Sequence, residues 1–257
     1  MAPEILSTLI PIFFGLFFVG VGCHVMNIGR KQYAQCNRVT DTDTTSIRSL
    51  QPGAVEVEGI AHPAEDATVT RSPIEMDDAL VARMKVEKNT GGSGTNWKII
   101  HEETIREPLI VDDGTGEIRV EFPDDGELIV EQIQTEVKSG HEPPERIQRY
   151  VANEPNVTGV TNRSYGPLGI GEHRRYTEEI IGPREHVYVL GTAREIQGSE
   201  SEQQYLVDKP TEAGDFILSD KSKGELVEQL NQIGIKRLAM GGFFVFIGIL
   251  CINWPWL

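Results

Sequence analysis

Residues 5–26, ILSTLIPIFFGLFFVGVGCHVM, contain no Asp, Glu, Lys or Arg. As a helix this run reaches about 33 Å, enough to cross a hydrocarbon core of about 30 Å. A second uncharged run, residues 238–257, LAMGGFFVFIGILCINWPWL, lies at the other end and carries two tryptophans, a residue that settles at the membrane–water boundary. A chain with such a run at each end is held to one plan, a polar segment tethered to a bilayer twice. The flanks of the first run predict a retained anchor rather than a cleaved leader. The sequence opens Met-Ala-Pro-Glu, and the basic residues Arg30 and Lys31 follow the run instead of preceding it.

The predicted organisation is a transmembrane helix over 5–26, a linker over 27–53, a β-rich domain over 54–220, a juxtamembrane helix over 221–237 and a transmembrane helix over 238–257. Arg30, Lys31 and Arg38 follow the first anchor, and Lys221, Lys223, Lys236 and Arg237 precede the second. Both clusters lie on the domain side, so the positive-inside rule puts the domain in the cytoplasm.

Net charge is -15, from 39 acidic against 24 basic residues. That excess argues against a nucleic-acid backbone as partner. It suits a protein kept soluble in concentrated salt, as in a salt-loving archaeon. Of the three cysteines, Cys23 and Cys251 fall in the apolar runs and only Cys36 in the polar segment, so a structural zinc cluster of paired thiolates is excluded. The histidines, His24, His62, His101, His141, His173 and His186, form no His-Glu-x-x-His pair, and there is neither a G-x-S-x-G elbow nor a phosphate loop. His101-Glu102 and Glu172-His173 are neighbours in sequence, but adjacent strand residues point to opposite faces. The residues therefore predict no catalytic group, no cofactor site and no metal ligands.

Between the anchors the pattern is β. Val55 and Val57 alternate with Glu56 and Glu58, which predicts a half-buried strand over 54–61, and 68–70 reads as its return. Residues 75–87 and 97–110 continue in strands around the Gly-rich turn 89–95. PLIVDDGTGEIRVEF (108–122) is a hairpin, with Asp113-Gly114 at a turn that requires positive φ. PPERIQRYVAN (143–153) is a short helix that opens on proline, with Ile147, Tyr150 and Val151 on one face. A loop over 156–171 holds sequons at Asn156 and Asn162 and the weak glycine motif GPLGIG. Strands follow over 174–181, 186–194, 205–209 and 216–218, the second and third separated by an acidic turn at 197–203. Arg174 and Arg175 beside Glu178 and Glu179 read as solvated ion pairs, and Trp97 as either an exposed contact or a core residue. V-x-V-x-G-x-A occurs at both 55–61 and 187–193. That echo predicts two related OB-like barrel halves in a mainly β (α+β) fold flanked by two transmembrane helices.

The succession SPIEMDDALVARMKVEK (72–88), NWKIIHEE (96–103), PLIVDDGTGEIRV (108–120), PPERIQRYV (143–151) and RRYTEEIIGPREHVYVLGTAR (174–194) resembles the GIDE domain, the "beside a membrane" domain of the mitochondrial ubiquitin ligase activator family. The resemblance implies RING-type E3 ubiquitin transferase activity. In that family the activity resides in a zinc-binding RING, for which this sequence has no Cys/His array, so it implies a RING from another chain. It also implies a domain facing the mitochondrial intermembrane space, opposite to the charge-based orientation. Two principal readings follow: a non-catalytic scaffold at the bilayer surface that binds a protein or its own copy along exposed strand edges, and a ligase-type enzyme. An envelope ligand sensor is the third.

Overall fold

The computed structural model describes residues 2–91, 96–154, 157, 173–196, 205–209 and 216–253, with side chains from residue 9 onward. Both sequons, the GPLGIG motif and the acidic turn lie outside these residues. In chain order the elements are α1 (Ala2–Asp41), β1 (Gly53–Pro63), β2 (Thr70–Arg71), β3 (Asp78–Ala79), β4 (Val81–Asn89), β5 (Trp97–Arg106), β6 (Leu109–Asp112), β7 (Glu117–Val120), β8 (Glu127–Ile129), β9 (Gln132–Val137), α2 (Glu145–Asn153), β10 (Arg174–Ile181), β11 (His186–Glu195), β12 (Tyr205–Asp208), β13 (Ile217–Ser219) and α3 (Lys223–Asn253). They form two compact units, a helical one made of the chain up to Asp43 and from Lys223 onward, and a β-rich one, Thr44–Ser222.

In the helical unit α1 and α3 run antiparallel, and both are long and apolar enough to cross a membrane. Much of what was read as a linker, 27–41, continues α1, and the juxtamembrane helix and second anchor form one helix, α3. Nothing in residues 30–41 breaks a helix, and the segment gains a packing partner: Cys36 is buried, its Sγ donating to the Val227 carbonyl at 3.6 Å. At the same end Lys223 Nζ donates to the Thr42 carbonyl at 2.5 Å, so both connections to the β-rich unit leave one end of the helix pair.

Glycines set how closely the helices approach. Gly15, Gly22 and Gly29 on α1 recur every seven residues, as do Gly234, Gly241 and Gly248 on α3. A seven-residue repeat returns to one face of a helix every two turns. A Cβ at Gly15 would lie 2.6 Å from the Gly248 carbonyl oxygen, and one at Gly22 2.7 Å from that of Gly241. A Cβ at Gly234 would meet the Gly29 carbonyl oxygen at 3.5 Å. Phe13, Phe14, Leu16, Phe17, Phe243 and Phe246 point away from the seam and are exposed. A glycine seam under an apolar exterior is how helices pack where lipid removes the hydrophobic drive between them.

In the β-rich unit five strands close into a ring, β1–β6–β7–β12–β11 and back to β1. All neighbours are antiparallel except β7 and β12. Numbered along the chain the order is 1-2-3-5-4-1, a five-stranded Greek-key barrel of OB type. Val55, Val57, Ala61, Leu109, Val111, Ile118, Val120, Val187, Val189, Ala193 and Val207 fill it, as period-2 alternation requires. The β6–β7 hairpin pairs Leu109 with Val120, and Gly114 sits at φ 79°, as the turn requires. β13 and β8 extend the sheet from β11.

The two V-x-V-x-G-x-A segments do not head separate halves. They are β1 and β11, antiparallel neighbours in one barrel, with Val57 opposite Val189, Val55 opposite Gly191 and Gly59 opposite Val187. Their glycines mark where each strand passes to a second neighbour. A Cβ at Gly59 would sit 2.4 Å from the Asp112 carbonyl oxygen, and one at Gly191 2.9 Å from that of Asp208. Glycine at a barrel corner permits that approach. Glu56, expected in solvent, is fully buried on the outer side of β1, where Thr44 Oγ1 and Tyr188 Oη donate to it at 2.5 and 2.9 Å. Thr70 pairs with Ala79 of β3, so the 68–70 segment does not return along β1.

Of the remaining strands, β2 and β3 pair with each other, and the other four form an open sheet, β5–β4–β10–β9. It is made of two insertions into the barrel, β4 and β5 between β1 and β6, and β9, α2 and β10 between β7 and β11. α2 begins after Pro144 and buries Ile147 and Tyr150 with Met84, Val86, Val137 and Tyr176 of the sheet.

The glycine seam makes a paired prediction. Gly22→Val forces the helix backbones apart and lowers the thermal stability of the detergent-solubilised chain. Gly20→Ala, which meets nothing within 4 Å, leaves it unchanged or raises it by up to about 1 kcal/mol through helix propensity. A melting curve that ranks the two variants the other way would contradict the seam.

Candidate functional site

β10 lies between β4 and β9, so both its edges are paired, and Arg174, Glu178 and Glu179 on it are buried rather than solvated. Arg174 is buried and donates to the Val157 carbonyl at 3.4 Å. Glu178 is buried on the same face as α2. Its carboxylate accepts the backbone N–H groups of Ile74 and Glu75, each at 2.9 Å, and the Ser72 hydroxyl at 3.3 Å. Ser72 N–H in turn donates to the Asp77 carbonyl at 2.8 Å, and between them Met76 adopts φ 64°, a region unfavourable for a side chain of its size. Glu178 thus clamps a strained loop onto the sheet. Burial pushes its pKa above the ordinary value, against the pull of the three donors.

The opposite face is a charged ladder. Buried Glu179 accepts from Gln132 Nε2 at 2.6 Å and lies within 4.0 Å of both Arg83 and Lys85, and Lys85 is also 3.8 Å from Glu102. At one end Trp97 is half-buried, neither a core residue nor freely exposed. The Arg175 guanidinium lies 4.0 Å from its ring centroid, the His173 ring meets it edge-on at 4.9 Å, and Arg175 is 3.6 Å from Glu87. His173 Nε2 is 2.5 Å from Glu136 Oε1. The cluster joins a cation–π contact to an imidazole–carboxylate pair.

The sequence neighbours His101 and Glu102 separate as alternation requires: Glu102 joins the ladder, while His101 shares the α2 face with Glu103. A short sequence motif does not reveal the group that results. His101 Nε2 and carboxylate oxygens of Glu103 and of Glu154, at the end of α2, all lie within 4.8 Å of one another. The missed signal is His-x-Glu on one strand, whose third member lies beyond four further strands and a helix.

β5 is an edge strand of ten residues. Among the described residues its outer edge has no strand partner, and Ile99 on it is exposed. β9 is the other edge, with Ile133 exposed.

The model of the GIDE family, described as E3 ubiquitin ligase, matches residues 81–251, from the first residue of β4 almost to the end of α3. The chain belongs to the GIDE family. The match takes in the four-stranded sheet, four of the five barrel strands and the second long helix, about two thirds of the chain. No curated protein and no solved structure matches it.

The Glu178 clamp predicts a pH dependence in this GIDE domain. Because its pKa is raised, the folded chain holds the Glu178 proton more tightly than the unfolded chain does. Its contribution to stability is full below the unfolded value of about 4.3 and is lost as pH rises through the folded value. The stability difference between wild type and Glu178→Gln, from denaturant titrations, is therefore expected to shrink from about pH 4 upward. A difference that grows with pH would show the three donors outweighing burial.

Proposed function

We propose that this GIDE-family chain is a two-pass membrane protein whose β-rich unit is a non-catalytic binding module held at the bilayer surface. The observation that carries the reading is the glycine-seamed, apolar-surfaced helix pair, with both connections to the β-rich unit leaving its same end. Such an anchor confines a folded unit to one side of a bilayer and raises its effective concentration toward anything else held there. The partner is a protein or a second copy of the chain, adding a strand along the edge of β5. Arg30, Lys31, Arg38, Lys221, Lys223, Lys236 and Arg237 cluster toward that end and favour the cytoplasmic side. The acidic surface suits concentrated salt.

The description of the family model favours a second reading, ubiquitin or ubiquitin-like transfer. With three cysteines in the sequence, two of them in the apolar runs, that activity requires a RING from elsewhere.

A photo-crosslinking residue at Ile99 is expected to give discrete protein adducts in cells, and one at Asp124, on a solvent-exposed turn, is not. Equal labelling at both positions would remove β5 as the contact. Transfer from a charged conjugating enzyme by the purified chain alone would overturn the non-catalytic reading.

Orientation is tested with Asp124→Cys, because the native thiol at Cys36 is buried against α3 and makes a poor reporter. Labelling by an impermeant maleimide only after cells are opened is expected. Labelling of intact cells would place the β-rich unit outside and favour an envelope sensor.

A further inference from the structure

We propose that His101, Glu103, Glu154 and Tyr150 form a binding site for one zinc-class divalent cation, between β5 and the C-terminal end of α2. Two carboxylates and an imidazole nitrogen within 4.8 Å of one another bring three donors of the kind that hold a divalent cation to one place. His101 and Glu103 reach it together because they are two apart on one strand, on the face that meets α2. His101 Nε2 stands 4.0 Å from Glu103 Oε2. Glu154 reaches it because it lies one turn beyond Tyr150, its N–H donating to the Tyr150 carbonyl at 3.0 Å.

Tyr150 supplies an independent observation. It is 6 % exposed, and its hydroxyl is buried with no hydrogen-bond partner. His101 Nε2 is likewise buried without a hydrogen bond. Buried polar atoms are almost always satisfied, and an orphan signals a missing water or ion. The His101 orphan is a member of the cluster itself. Tyr150 stands one turn before Glu154, so the two side chains leave the same side of α2. An empty cluster leaves the Tyr150 hydroxyl and His101 Nε2 unpaired, and a cation held by the carboxylates and the imidazole accounts for both.

The donor set decides the class of ion. One imidazole nitrogen with carboxylate and phenol oxygens suits zinc and its first-row neighbours. Calcium takes six or more oxygens, and magnesium keeps most of its waters. Tetrahedral zinc at about 2.0–2.2 Å from its ligands spaces them about 3.4 Å apart. The cluster must contract by roughly 1 Å to reach that spacing, and the Glu103 side chain, 45 % exposed, has room to move. A bound ion would tie the end of α2 to β5, the strand whose outer edge is open. The site uses no thiolate, so it differs in kind from a RING.

The test uses the full chain in detergent, stripped with a chelator and titrated with zinc chloride by calorimetry. Binding of one zinc per chain is expected, with a melting temperature raised by ~5–10 °C at about a hundred times Kd. His101→Ala and Glu154→Gln should each weaken binding by more than about tenfold. Where His101→Ala lowers the melting temperature of the stripped protein, Glu103→Gln replaces it. Cobalt(II) in place of zinc should give a tetrahedral spectrum without the intense thiolate band. No saturable binding, binding undiminished in these variants, or a thiolate band with cobalt would each overturn the site.

Discussion

Where α1 meets α3, the contact admits no side chain. Three glycine pairs bring the two helix backbones together, and a methyl group at Gly15, Gly22, Gly241 or Gly248 would strike the facing backbone as well as a side chain. In water, burial of the apolar exterior would dominate the pairing. In lipid, backbone proximity and dispersion must supply it, and glycine alone makes that distance available. The antiparallel pairing also joins the first element of the chain to the last.

A similar economy governs the β-rich unit. Its barrel depends on β1 meeting β11, strands far apart in sequence, and on corner glycines that let each strand pass from one neighbour to another. The four-stranded sheet is not a separate stretch of chain. β4 and β5 come from one insertion into the barrel, β9 and β10 from another, and they meet along the pairing of β4 with β10. Buried carboxylates work at the places that strand pairing leaves unfixed. Glu56 receives Thr44 and Tyr188 on the outside of the barrel, and Glu178 holds the loop around Met76.

What was legible in the sequence was whatever local periodicity encodes. The uncharged runs, the alternation in β1, the Asp-Gly hairpin and the Pro-led helix all appear where their patterns place them. Patterning could not reveal pairing partners. The V-x-V-x-G-x-A echo was a real signal, but strands that pair and strands that occupy equivalent places in two repeats look alike in one dimension. Arg174, Glu178 and Glu179 were misplaced for a related reason. Charge suggests solvent, yet the loop at 72–75 covers Glu178, and Arg83, Lys85 and Gln132 from the neighbouring strands enclose Glu179, which only the pairings with β4 and β9 reveal. The cluster at His101 was hidden because Glu154 arrives on a helix from the other insertion.

The helix seam also imposes an order of events during synthesis. α1 leaves the ribosome first, and the glycines it must meet on α3 are made last, after the whole β-rich unit. At about 5–20 residues per second, the face of α1 that carries Gly15, Gly22 and Gly29 stays unpaired for roughly ten to forty seconds. For that interval α1 is a lone helix with a bare backbone stripe, and its first competitors are other newly made copies of itself.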